Sequence, residues 1–291
     1  MNSRRSLRVR GALIRFARAA VVALCLAAPA QAVHAQDPGA GPSAHHLAAR
    51  IIGSELAMRG ADARMQELKA QQPSGLAETV RRELAMSRAA YDFRQAARQE
   101  ELRVYELASY ASVEAAVLPL LPVDIQGSIR DSIAAFHSLY ISAGIDEYYL
   151  VNVHFNHPYT DAQPVTNLRS YYLEAQQRYG VDWSYLASIN FIESNFGRIN
   201  GPSSAGAMGP MQFLPSTWKN YGEGADIMDP HASILAAARY LVHYGAPYNM
   251  RVAIWHYNLD YDYVDSVVLF ARAIRAHPGW LERMYYWNTY G

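Results

Sequence analysis

From about Leu76 to Leu118 the chain reads as one long helix, and this run limits the possible folds more than any other feature. Pro73-Ser74-Gly75 stands before it, and Pro119 and Pro122 follow it. Within it Val80, Leu84, Ser87 and Tyr91 recur at three- and four-residue steps, and Leu102, Tyr105, Ser109, Val113 and Ala116 resume the pattern. The middle, Arg94 to Glu101, is polar, so the apolar stripe is too broken for a coiled coil. One helix is expected before it, about Ala44 to Gln72. Another is expected after it, about Ile125 to Ala143, with Ile129, Ile133, Phe136 and Tyr140 on one face.

From Val165 the texture changes to short helices separated by Gly and Pro. The first covers about Asn167 to Tyr179 and stops at Gly180. Asp182 then caps a helix running to about Ser194. Asp229 before Pro230 opens a third, whose Ile234, Leu235, Ala238, Leu241 and Val242 form a stripe ended by Gly245 and Pro247. Two more are expected at about Met250 to His256 and Tyr261 to Ala276, with His277-Pro278-Gly279 as the stop. No run alternates as a half-buried strand would, so the chain is expected to be all-α. The change of texture divides it into a long-helix accessory region and connector at 44–164 and a second helical domain at 165–291, which the motifs below mark as the catalytic one. The accessory region holds no cluster of catalytic residue types. It reads as a prop for the next domain, with self-association or a protein partner through these helices as the alternative. His154 and His157 fall in the connector, where Pro158 argues against a helical metal pair.

The N-terminus has the pattern of a signal peptide at 1–35. Arg4, Arg5, Arg8, Arg10, Arg15 and Arg18 precede a short apolar stretch, Ala19 to Ala28, and then the small residues around Ala30-Gln31-Ala32 and Val33-His34-Ala35. About ten apolar residues are too few to span a bilayer stably, so no lasting membrane insertion is expected after cleavage. A Pro/Gly-rich linker, 36–43, follows. The single cysteine, Cys25, lies in the leader behind Leu24 rather than a small residue, which argues against a lipid anchor. Cleavage would leave no thiol for disulfide, nucleophile or metal. It would also remove six of 26 basic residues and none of 26 acidic ones, leaving a formal charge of −6. Such a chain has no basic excess to hold a nucleic-acid backbone, and nucleic acid is excluded as a partner.

One carboxyl stands out. Residues seven apart on a helix share a face, so Glu193 lies over Leu186, with Ile189 and Asn190 beside it. No Lys or Arg stands three or four residues away. A carboxyl against apolar neighbours at a helix end should have its charged form disfavoured and its pKa raised, which is what a general acid near neutral pH requires.

Glu193-Ser194 is followed by Gly209-Pro210-Met211-Gln212 and then by His256-Tyr257-Asn258. In this order the three motifs resemble those of the lytic transglycosylases, the goose-lysozyme-like muramidases: Glu-Ser at a helix end, Gly-Leu-Met-Gln, then Ala-Tyr-Asn. The resemblance covers about Asn167 to Ala276. Pro210 stands where the family has Leu, and His256 where it has Ala, the latter read as a bystander.

The resemblance implies a lysozyme-like fold and cleavage of the β-1,4 bond in peptidoglycan glycan strands, without cofactor or metal. The substrate's N-acetyl group assists at C1 and its 6-hydroxyl attacks, leaving a 1,6-anhydro end. Glu193 would act as acid and then as base. Ser194 would hydrogen-bond near the cleavage point, Met211 and Gln212 would line the groove, Tyr257 would sit by Glu193 and the N-acetyl group, and Asn258 would hold a turn. Two rivals remain: hydrolysis on the same fold, favoured by a second acid near Glu193, and a non-catalytic wall-binding scaffold. Of the other acids, Asp229 reads as a helix cap, while Asp226, Asp260 and Asp262 have no assigned role. Phe213, Trp218 and the closing Trp280, Tyr285, Tyr286, Trp287 and Tyr290 are read as core packing. The Gly222–Asp229 stretch lacks the ligand spacing of an EF-hand.

Overall fold

A computed structural model describes residues 43–108, 111–144, 160–199 and 201–287. The leader, Cys25, all but the last residue of the linker, His154, His157 and Tyr290 lie outside the described residues. Among the described residues there are eleven α-helices and no strand, so the chain is all-α. They are α1 Ala44–Ala70, α2 Leu76–Ala108, α3 Ala111–Val117, α4 Val123–Ala143, α5 Val165–Tyr179, α6 Trp183–Ser194, α7 Pro215–Tyr221, α8 Pro230–His243, α9 Met250–Tyr257, α10 Tyr261–Ala276 and α11 Trp280–Tyr286. A single 3₁₀ turn, Leu118–Leu120, separates α3 from α4. No described helix is long and apolar enough to cross a membrane.

The caps follow from sequence. Asp182 accepts from the Ser184 N–H at 2.9 Å and Asp229 from Ala232 N–H, opening α6 and α8. Gly144 and Gly180 end α4 and α5 in the left-handed conformation that glycine adopts without a Cβ penalty. The stripe expected on α8 is buried except at its end, where Val242 is exposed. The closing segment forms α11, a helix the sequence pattern does not announce, and buries Trp280 and Trp287 completely.

α1 and α2 form an antiparallel hairpin, and here a sequence expectation is corrected. Val80, Leu84 and Tyr91 are exposed, while the polar middle of α2 faces inward, with Glu100 and Glu101 buried beside Ala96 and Ala97. The cause is Arg283 on α11. It is buried, bonds Glu100 at 3.1 Å and Glu55 of α1, and lies over the Trp280 ring. A buried guanidinium needs carboxyl groups around it, so Glu100 is buried on α2 among Ala96, Ala97, Val104 and Leu107.

The C-terminal helices are built around α10. It packs against α4 on one side and α6 on the other. Phe270 of α10 meets Phe136 of α4 and Phe191 of α6 edge-on, each at 5.1 Å. The Ser128 hydroxyl of α4 donates to the Ala273 carbonyl and that of Ser188 on α6 to the Val267 carbonyl, both at 2.9 Å. One continuous core runs from Leu47 to Trp287, and its packing crosses the boundary expected near Val165.

Candidate active site

α6 is buried almost all round, as a helix at the centre of a core must be. Its last turn carries Glu193, the one residue between Leu186 and Ser194 that keeps partial exposure. The helix stops abruptly because Asn195, Phe196 and Gly197 are all left-handed, with φ of 50°, 62° and 87°. Such a run is strained for non-glycine residues. It is held by the Phe196 N–H on the Asn190 carbonyl and the Gly197 N–H on the Ser194 hydroxyl.

Tyr263, fully buried on α10, donates its hydroxyl to Glu193 Oε1 at 2.6 Å. Burial pushes the Glu193 carboxyl up to about 7, partly offset by this hydrogen bond. The C-terminal end of a helix also disfavours negative charge. No other carboxyl among the described residues contributes to that shift. Burial and the Glu193 charge hold both the Tyr263 and Tyr257 hydroxyls well above the ordinary tyrosine range, so each stays protonated.

The Gly209–Gln212 segment is a tight turn whose first three carbonyls have donors. Gly209 accepts from the Gln212 backbone and side-chain N–H groups, each at 3.0 Å. Pro210 accepts from Asn190 Nδ2 at 2.8 Å and from Ser194 Oγ. Met211 accepts from the Tyr257 hydroxyl at 2.7 Å. Only glycine fits at 209, because its φ is +76° and a Cβ would lie 2.0 Å from the Ile227 carbonyl oxygen.

The structure therefore gathers Glu193, Ser194, Met211, Gln212 and Tyr257 in one neighbourhood but distributes them unequally. Ser194 and Met211 have no exposure. The Ser194 hydroxyl is saturated by Pro210, Gly197 and Asn190, so it supports the turn and does not face open space. Gln212 is half-buried with a left-handed φ of 47°. Tyr257 is half-buried, and its hydroxyl donates to Met211 rather than to Glu193. Asn258 closes α9, its N–H on the Ile254 carbonyl.

His256 stacks on Tyr244 at 4.1 Å, and its carbonyl accepts from Tyr240, placing it in the aromatic layer behind Tyr257. Asp260 caps α10 and accepts from Ser142, Asp226 accepts from Met228 N–H, and Asp262 sits in the first turn of α10. Phe213 is buried against Trp218.

Sequence reasoning missed Tyr263. Its spacing with Val264, Val267 and Phe270 marks it as a core position, and nothing in that pattern separates a core tyrosine from one that bonds the acid.

Residues 170–260 match the family model described as the transglycosylase SLT domain. The matched segment is similar to that domain. It contains Glu193, the Gly209–Gln212 turn and Tyr257, and ends three residues before Tyr263. The membrane-bound lytic murein transglycosylase F of Thiobacillus denitrificans is 37% identical over 79 residues, 27% of this chain and 16% of that protein. The protein of the same name from Methylobacillus flagellatus is 29% identical over 117 residues, 37% of this chain and 24% of that protein. The chain thus spans about a sixth to a quarter of the length of these curated relatives. No solved structure matches it.

Proposed function

We propose that the protein is an exported peptidoglycan lytic transglycosylase. On this reading it cleaves the β-1,4 bond between N-acetylmuramic acid and N-acetylglucosamine and leaves 1,6-anhydro-muramoyl ends. The observation that carries the reading is the Glu193–Tyr263 pair at the segment similar to an SLT domain: one half-buried carboxyl, raised to about 7, with one oxygen engaged and the other open to hold a proton.

Cleavage begins with proton transfer from Glu193 to the bridging oxygen as the C1–O bond breaks. The substrate's N-acetyl oxygen bonds to C1 and takes the place of a second enzyme carboxylate. Glu193, now ionised and stabilised by the Tyr263 hydroxyl, accepts the proton of the 6-hydroxyl while that oxygen attacks C1 and displaces the N-acetyl oxygen. Tyr257 donates its hydrogen bond to the Met211 carbonyl, so towards the substrate it offers lone pairs that suit an amide N–H. The proposed partners are glycan strands, and the proposed location is the periplasm or extracellular wall space.

Mass analysis of purified peptidoglycan digested by the mature protein and by Glu193→Gln tests this. Anhydro-ended fragments from the unsubstituted protein alone are expected. Reducing ends would replace the reading with hydrolysis, and no release by either protein would overturn autonomous catalysis.

A further inference from the structure

We propose that Asn190 is a positioning residue that holds the Gly209–Gln212 turn against the helix of the acid, and so sets glycan binding rather than the proton of Glu193. This rests on the transglycosylase reading above.

Asn190 is fully buried one turn before Glu193. Its Oδ1 accepts from the Tyr172 hydroxyl at 2.7 Å, and its Nδ2 donates to the Pro210 carbonyl at 2.8 Å and to Ser194 Oγ at 3.3 Å. The amide orientation follows from the chemistry, since a proline carbonyl only accepts and the face towards it must be the NH₂. Burial keeps the Tyr172 phenol protonated, well above its ordinary range, so the opposite face meets a donor.

Every polar atom of the amide is therefore matched, and the turn is linked to two helices: through Asn190 to α6, and through Tyr172 to α5. Pro210 itself has no N–H to anchor the turn. Gln212 is half-buried and left-handed, a conformation that persists only where neighbouring bonds impose it. Tyr257 holds the next carbonyl, from α9. Loss of the Asn190 bond leaves the Pro210 carbonyl to Ser194 Oγ alone, which loosens one side of the turn and leaves both the Tyr263–Glu193 bond and the burial of the acid unchanged. A change in KM without a change in the titration of Glu193 is the consequence.

The test uses Asn190→Leu, Asn190→Asp and Tyr172→Phe in the full chain, with steady-state kinetics on glycan strands across pH and circular dichroism at each pH. Asn190→Leu should raise KM by about tenfold, the worth of one buried hydrogen bond, with kcat and the basic limb of the pH profile unmoved. Asn190→Asp is the isosteric rescue. Its buried carboxyl, when protonated at about pH 5.5, can donate to Pro210 and accept from Tyr172, so the KM defect seen at about pH 7.5 should largely disappear. Tyr172→Phe removes only the hydroxyl that orients Asn190 and should raise KM by roughly threefold.

An unchanged KM in Asn190→Leu, a shifted basic limb, or a defect in Asn190→Asp that does not recover in acid would each overturn the proposal. If the leucine variant fails to fold, unaltered kinetics in Tyr172→Phe overturn it instead. Binding of glycan strands to Glu193→Gln with and without Asn190→Leu separates the two readings. A lack of cleavage by the unsubstituted protein defeats the transglycosylase, whereas equal binding by the two variants defeats the role of Asn190.

Discussion

Tyr263 and Glu193 are 70 positions apart in sequence, yet the tyrosine hydroxyl donates to the carboxylate oxygen at 2.6 Å from a site with no exposure. Two opposed effects meet at this bond. Burial raises the carboxyl to about 7, and the hydroxyl pulls it back by stabilising the anion. In the proposed reaction this makes the carboxyl protonated enough to donate near neutral pH and stable enough once ionised to act as the base that follows.

Tyr263→Phe removes the stabilising donor and keeps the ring. The Glu193 carboxyl should then titrate at higher pH, and the basic limb of kcat against pH should move upward. Loss of a hydrogen bond to a charged group, about 1.5–3 kcal/mol, gives a fall in kcat of roughly tenfold to a hundredfold. A pH–rate profile identical to that of the unsubstituted protein would show that the bond has no part in catalysis.

Arg283 is the second critical buried group. Glu55 is held below the usual carboxylate range by Arg283 and Arg59 despite its burial. Arg283→Met would leave that ionised carboxylate in the core with only the half-exposed Arg59 beside it. Removal of one partner of a buried pair costs about 3–5 kcal/mol. Chemical denaturation should read this loss, and limited proteolysis should cut α1 and α2 first. Adding Glu55→Met and Glu100→Leu should recover most of the stability, because an apolar cluster of similar volume has no charge left to compensate.

The caps, helix bounds and core face of α4 were readable because they depend on neighbouring residues: Asp182 and Asp229 at helix starts, Gly180 after the last turn, Ile129 and Ile133 at helical spacing. The raised Glu193 carboxyl was readable for the same reason, since its apolar face and lack of a nearby cation lie within one helix. The burial of Glu100 on α2 was not, because its cause is Arg283, 183 positions away. Tyr263 likewise acts through a contact that no local period encodes. The support roles of Ser194 and Met211 follow from saturated bonds to a distant turn, and three short motifs cannot distinguish such support from contact with a sugar.

Glu100 gives a pH signature. It is fully buried, one oxygen has no partner, and burial outweighs Arg283 to push its carboxyl up to about 7. A folded value above the unfolded one means that the folded state binds the proton more tightly. The stabilisation is complete below about 4.5, the ordinary glutamate value, and is lost as pH rises through about 7. Glu100→Gln removes this titration, so its stability relative to the unsubstituted protein should increase between those two pH values by up to about 3 kcal/mol. Denaturant melts at a series of pH values read the difference, and a pH-independent difference would rule out a protonated Glu100.

The last prediction compares two glycines that share a backbone conformation but not their surroundings. Gly206 and Gly209 have φ of +81° and +76°, yet a Cβ at Gly206 meets nothing within 4 Å, whereas one at Gly209 would lie 2.0 Å from the Ile227 carbonyl oxygen. Gly206→Ala incurs only the left-handed penalty, about 1–2 kcal/mol. Gly209→Ala incurs the same penalty and must also displace either the segment before α8 or the turn itself. Ile227 is held from the other side by Ser233, whose hydroxyl donates to that same carbonyl at 2.9 Å, so part of the shift falls on the turn. Its displacement breaks the bonds from Asn190, Ser194 and Tyr257 that hold Pro210 and Met211 in register with Glu193. Gly206→Ala should therefore lose stability and keep its KM. Gly209→Ala should lose more stability and bind glycan strands at least tenfold more weakly, the effect of losing one or more buried hydrogen bonds at about 1 kcal/mol or more each. Equal behaviour of the two variants in melting and in binding would mean that the close approach to Ile227 does not govern the position of the turn.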